Sequence, residues 1–81
     1  MKKNALKVAE EFGKNCQKND IIAVGMTMNE NNTNNIVLNA TGYEAGFMIR
    51  QLVRQLINVY SDDLSERDAF IGELMKLNLR D

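Results

Sequence analysis

The chain has 81 residues, enough for one small domain, and we predict that residues 1–81 form a single domain. Its composition is 44% hydrophobic and 26% charged with a formal net charge of −1, which argues against a protein held to nucleic acid mainly by charge. No run approaches the ~20 apolar residues of a membrane span, and no apolar segment follows the basic start, so we expect neither a membrane segment nor a signal peptide, and a cytoplasmic location.

Residues 4–18 are predicted to form a first amphipathic helix. Its apolar stripe consists of Ala5, Val8, Ala9, Phe12 and Cys16, which recur at helical spacing. A second stripe is made of lysines, for which a solvated face is the simpler interpretation and an acidic partner the alternative. Because Cys16 lies within the apolar stripe, we expect it to be a buried, reduced thiol.

Two strands follow, over residues 20–28 and 35–40, and the asparagine-rich segment between them is suited to a hairpin connection. Period-two alternation gives one strongly apolar face, which we expect to be the core face: Ile22, Val24, Met26, Met28, Ile36 and Leu38. The opposite face is smaller and partly polar: Ile21, Ala23, Gly25, Thr27, Val37 and Asn39.

A second helix is predicted from Thr41 to about Tyr60, because Thr41 and Glu44 form a T-x-x-E capping box. Its apolar residues are expected to make a broad buried stripe: Ala45, Ile49, Leu52, Val53, Leu56, Ile57 and Tyr60. A third helix, over about residues 66–78 with a cap at Ser65, is expected to bury Phe70, Ile71, Leu74, Met75 and Leu77. The predicted fold class is therefore α+β, in the order α-β-β-α-α, with a hairpin packed against helices.

The hairpin also favours a homodimer. A two-stranded sheet is marginally stable in water, and free strand edges invite pairing with another chain. A second copy would complete the sheet, as four paired strands or as a sandwich of hairpins, and the small residues Ala23 and Gly25 would allow close approach. The alternative is a monomer in which the three helices cover the sheet.

The candidate partner-binding residues lie mainly on the second helix. Tyr43, Phe47, Arg50 and Arg54 share a helical stripe outside the apolar one, and aromatic and arginine side chains are enriched at binding hot spots. The alternative is that both rings pack inside the protein and the arginines are solvated. Asn31 and Asn32 of the hairpin loop are a second candidate, since amides suit adaptable polar recognition, although turn propensity also explains them.

No residue set suggests catalysis. The chain has no histidine to activate a serine or Cys16, and no glycine-rich phosphate loop. The acidic residues from Asp62 to Asp68 lack the spacing of a calcium loop. We therefore expect no enzymatic activity, no cofactor and no metal.

Three functions remain open. The favoured one is a small dimeric accessory protein that binds another protein, in the style of phage or mobile-element products, some of which inhibit host or defence enzymes. The second is a DNA-binding regulator, because the strand-helix-helix order from Asn35 onward resembles the ribbon-helix-helix layout, although no Lys or Arg lies on the strand. The third is a small-ligand carrier that holds its ligand between sheet and helices at the dimer interface, lined by methionines such as Met26 and Met28.

Overall fold

A computed structural model describes residues 4–29, 31 and 34–79. Its elements follow the predicted order and confirm the α+β class; in sequence they are α1 (Ala5–Lys18), β1 (Ala23–Met28), β2 (Asn34–Asn39), α2 (Gly42–Val59) and α3 (Leu64–Met75). The residues group into two compact units, one ending at Ile49 and the other beginning at Arg50. None of the helices in the described ranges is both long and apolar enough to cross a bilayer.

Helix α1 is closed at both ends by local hydrogen bonds. The side chain of Asn4 accepts a hydrogen bond from the backbone N–H of Lys7 at 2.8 Å, which satisfies a donor in the first turn. At the other end Asp20 adopts a left-handed backbone conformation, with φ of 55°. The N–H of Ile21 then reaches the carbonyl of Cys16 at 2.9 Å, as in a Schellman motif.

The hairpin pairs β1 with β2 in antiparallel register, so that Val24 lies opposite Leu38 and Gly25 opposite Val37. Helix α1 packs against one face of this hairpin. The buried apolar residues of the described chain belong to these elements: Ala9, Cys16, Ala23 and Val37. Burial of Cys16 confirms the expectation from its position in the apolar stripe.

The prediction of which hairpin face forms the core was wrong. Helix α1 covers the face of small residues that includes Ala23 and Val37, whereas the face with the larger side chains is mostly exposed: Ile22, Met26, Met28, Ile36 and Leu38. Small side chains allow a helix backbone to approach a sheet closely. The closeness is visible at Gly13 of α1, where an added Cβ would lie 3.8 Å from Val37 Cγ1.

Helix α2 begins at the predicted capping box. The N–H of Thr41 donates to Glu44 Oε1 at 2.8 Å, and the N–H of Glu44 donates to Thr41 Oγ1 at 3.2 Å, so the two residues satisfy each other's backbone donors. The prediction that α2 has a broad buried stripe was wrong. No residue of this helix is buried, and Ile49 and Leu52 are exposed.

In the second unit, α3 begins two residues earlier than predicted. Its N-cap is Asp63, whose carboxylate accepts a hydrogen bond from the N–H of Glu66 at 3.1 Å, and Ser65 lies within the helix. The rings of Tyr60 and Phe70 lie with centroids 5.8 Å apart at an angle of 46°. Met75 and Leu77, which were expected to be buried, are exposed.

Candidate partner-binding surface

An exposed pair of aromatic rings stands at the start of α2. The rings of Tyr43 and Phe47 are stacked, with centroids 6.5 Å apart and planes 16° from parallel. One helical turn separates the two residues, so the helix itself brings the rings together. Tyr43 is 82% exposed and Phe47 is 45% exposed. The structure therefore places both rings at the surface and not in the core, which was the alternative that the sequence left open.

This stacked pair has the properties of a recognition platform. Two aromatic rings offer a large apolar area with few rotatable bonds, and the phenol of Tyr43 adds one hydrogen-bond group. The mutual hydrogen bonds of Thr41 and Glu44 hold the first turn of the helix, and hence the position of Tyr43 between them in sequence. The first turn of the helix, which carries Tyr43, is therefore fixed by its own hydrogen bonds.

Arg50 and Arg54 lie further along α2, in the unit that begins at Arg50. Both are exposed, and one turn of helix separates them. Guanidinium groups spaced in this way suit carboxylates of a partner surface, which arginine binds in a bidentate manner. The structure thus leaves all four predicted residues of α2 at the surface.

The asparagine candidates can be located in part. Asn31 is exposed at the turn between the strands, whereas Asn32 lies outside the described residues. An open depression of about 500 Å³ lies beside Asn31, lined by Asn4, Ala5, Met28, Asn29 and Asn31. Its amides supply both donors and acceptors.

Two surfaces of the first unit were missed by the sequence reasoning. One is the uncovered apolar hairpin face described above. The other is a groove of about 390 Å³ between α1 and β1, lined by Val8, Ala9, Phe12, Val24, Gly25, Met26, Thr27 and Val37. The small residues Ala23, Gly25 and Thr27 were the available signal, because a helix seated on them leaves the larger strand residues on the far side.

The described residues contain no group of three His, Cys, Asp or Glu side chains arranged to hold a metal ion. Comparison of the chain with protein-family models, with curated proteins and with solved structures finds no match.

Proposed function

We propose that this protein is a non-catalytic binding protein that acts as a homodimer and captures another protein through α2. The observation that carries the proposal is the stacked, exposed pair of Tyr43 and Phe47. Burial of two such rings by a partner removes apolar area from water. Truncation of a hot-spot aromatic residue commonly costs about 2 kcal/mol or more, which corresponds to about thirtyfold in affinity.

The chemistry of the partner follows from the residues around the rings. The sequence spacing puts Arg50 and Arg54 on the same helical stripe as Tyr43 and Phe47. An apolar patch bordered by carboxylates is the complementary surface, since arginine pairs with carboxylates and stacks on rings. Asn31 and Asn32 are proposed as a separate, polar contact. An inhibitor or accessory protein of a phage or mobile element fits this description.

The DNA-binding alternative is less well supported. A ribbon that enters the major groove needs basic or amide side chains on its outer face. The hairpin face that α1 leaves uncovered instead presents Met26, Ile36 and Leu38. The carrier alternative is supported only by the open α1–β1 groove, which holds Met26 but offers few polar groups to orient a small ligand.

Affinity capture from lysate of the source cells, with and without nuclease, tests the proposed function. The bait is the full chain, compared with the double variant Tyr43→Ala/Phe47→Ala and with Met75→Ala, a control that also removes an exposed apolar side chain. A captured protein should survive nuclease, bind the control normally and bind the double variant at least tenfold more weakly, with an unchanged circular dichroism spectrum.

Two results would contradict the proposal. Equal capture by the double variant and the control would remove the aromatic pair from the interface. Capture that disappears with nuclease, and that weakens steeply with salt when purified DNA is added, would favour the DNA-binding regulator.

A further inference from the structure

The outer edge of β1 is unprotected. β1 and β2 form a two-stranded sheet in the part of the chain that the structure describes, so the side of β1 turned away from β2 has no strand beside it there. The strand Ala23–Met28 contains no proline and no charged residue, and it pairs regularly with β2 along its whole length. Such an edge presents unpaired N–H and C=O groups that accept another strand.

An apolar groove runs beside this edge. Val8 and Phe12 of α1 line it together with Val24, Gly25 and Met26 of β1, and its volume is about 390 Å³. Phe12 is 54% exposed although it belongs to the apolar stripe of α1. A strand added at the edge of β1 would enter below Phe12 and cover it.

The opposite edge of the hairpin is different. The groove between α1 and β2 contains the charged side chains Glu10 and Lys14, together with amides such as Gln17 and apolar residues such as Leu6 and Leu38. A strand added there would have to remove charged groups from water, and charged side chains are a common means of protecting a sheet edge. The distribution of charge therefore favours strand addition at β1.

Gly25 has no role in the described fold that explains it. The residue is exposed on the α1 face of β1, its φ is not positive, and an added Cβ would meet no atom within 4 Å. Glycine weakens a strand, and it often marks a place where another backbone or side chain approaches closely. The open space above Gly25, in the groove that Phe12 also lines, is such a place.

We propose that β1 pairs antiparallel with β1 of a second copy of this chain, about a twofold axis near Gly25, with Phe12 of each copy packed over Gly25 of the other. A twofold interface requires one surface to be complementary to itself. Here the same surface supplies both the projecting ring of Phe12 and the open space above Gly25. The result is a continuous four-stranded sheet with the two α1 helices on one face.

A second copy fits this groove better than an unrelated strand. The residues of β1 on the α1 face are small throughout, namely Ala23, Gly25 and Thr27, so the second copy brings the strand that fits beneath the helix. Pairing of the two β1 edges would also cover Val8, Phe12 and Met26, which are 42%, 54% and 58% exposed in the single chain. The proposal specifies the interface of the homodimer that is part of the proposed function. It depends on that self-association and is independent of the protein that α2 captures.

Sedimentation equilibrium of the full chain over low to high micromolar concentration tests the proposal, with three variants. Phe12→Lys places a charge in the interface, and Gly25→Val puts a branched side chain into the space above β1, where an added Cβ meets no atom within 4 Å in the single chain. The control is Leu6→Lys, because Leu6 is 50% exposed on the same helix but lines the β2 groove. We expect a dimer whose dissociation constant rises at least tenfold with Phe12→Lys and with Gly25→Val, and changes less than threefold with Leu6→Lys.

Hydrogen exchange identifies the paired edge directly and needs no variant. As the concentration rises through the dissociation constant, the amides of β1 that point away from β2 should gain protection, and those at the outer edge of β2 should not. Circular dichroism establishes whether each variant is folded. If Phe12→Lys unfolds the chain, the dissociation constant of Gly25→Val tests the interface.

Three results would overturn the proposal: a wild-type chain that stays monomeric, a dimer indifferent to both variants, or protection gained at β2 instead. These failures are separable from failure of the proposed partner capture. If the dissociation constant of the dimer were unchanged in both variants, the chain would still self-associate, but through another surface. The loss of partner capture in the variant Tyr43→Ala/Phe47→Ala is measured in a separate experiment and does not depend on any of these three results.

Discussion

The hydroxyl of Thr27 donates a hydrogen bond to the backbone carbonyl of Ala5 at 2.9 Å, which joins the first turn of α1 to β1. The same hydroxyl accepts a hydrogen bond from Asn35 Nδ2 at 3.3 Å, so one side chain connects α1 with both strands of the hairpin. Thr27 and Asn35 are opposite each other in the strand register. One hydroxyl on the face of the sheet that α1 covers thus fixes where the helix begins its contact with the hairpin.

Removal of this hydroxyl should therefore destabilise the first unit. Thr27→Val keeps the shape of the side chain but leaves the Asn35 amide without this acceptor, and we expect a loss of about 1 kcal/mol in the free energy of unfolding. Urea denaturation followed by circular dichroism measures it. Thr27→Ser retains the hydroxyl and should lose less; a larger loss in the serine variant would show that the methyl group, and not the hydrogen bond, contributes the stability.

The face of the hairpin that carries the core can be tested with two neighbouring residues. Val37 is 5% exposed beneath α1, whereas Leu38 is 57% exposed on the other face. Val37→Ala removes two buried methyl groups and should lower the free energy of unfolding by about 2 kcal/mol, while Leu38→Ala should cost less than about 0.5 kcal/mol. Chemical denaturation of the two variants under identical conditions gives the comparison. A larger loss of stability in Leu38→Ala than in Val37→Ala would instead support the core face predicted from alternation.

Asp20 offers a stabilising substitution. Its φ of 55° at the end of α1 is a left-handed conformation that costs an L-residue energy but suits glycine. Asp20→Gly should raise the free energy of unfolding by about 0.5 kcal/mol, after allowance for the greater entropy of glycine in the unfolded chain. Asp20→Ala is the matched control and should lower the thermal midpoint, because alanine lacks the polar side chain that makes this conformation tolerable for aspartate. Equal midpoints for the two variants would contradict the argument.

The capping box of α2 can be divided into its two halves. Thr41→Ala removes the acceptor of the Glu44 N–H and should cost about 1 kcal/mol of stability. Glu44→Gln keeps an oxygen that can accept from the N–H of Thr41 and should change stability by less than about 0.5 kcal/mol. Thermal unfolding at a fixed protein concentration distinguishes them. If the glutamine variant lost as much as the alanine variant, the negative charge of Glu44 near the helix start would be the main contribution.

The order of the elements could be predicted from the sequence because each boundary has a local signal. Thr41 and Glu44 bond to each other three residues apart, and the stripe containing Ala9 and Cys16 repeats at helical spacing; both depend on neighbours in the chain. Asp63 was missed as a cap because Ser65, two residues later, carries the same local signal.

The packing of the sheet could not be predicted in the same way. Alternation shows that Val24 and Val37 face opposite sides, but it does not say which side a helix will cover. The size of the side chains predicts a core on the side of Val24, whereas the helix occupies the side where Ala23 and Gly25 allow its backbone to come close. The exposure of Tyr43 and Phe47 likewise depended on contacts between elements, which no local pattern determines.

Because Cys16 is buried between α1 and the hairpin, the rate at which its thiol is labelled reports how often that contact opens. A thiol reagent can reach the sulfur only while the helix is lifted from the strands, so the rate of labelling, divided by the rate for an unfolded peptide, gives the fraction of time that the contact is open. The chain has one cysteine, and the labelling signal therefore has a single origin. Each substitution in the hairpin or in α1 can thus be ranked by local opening under native conditions, without denaturant.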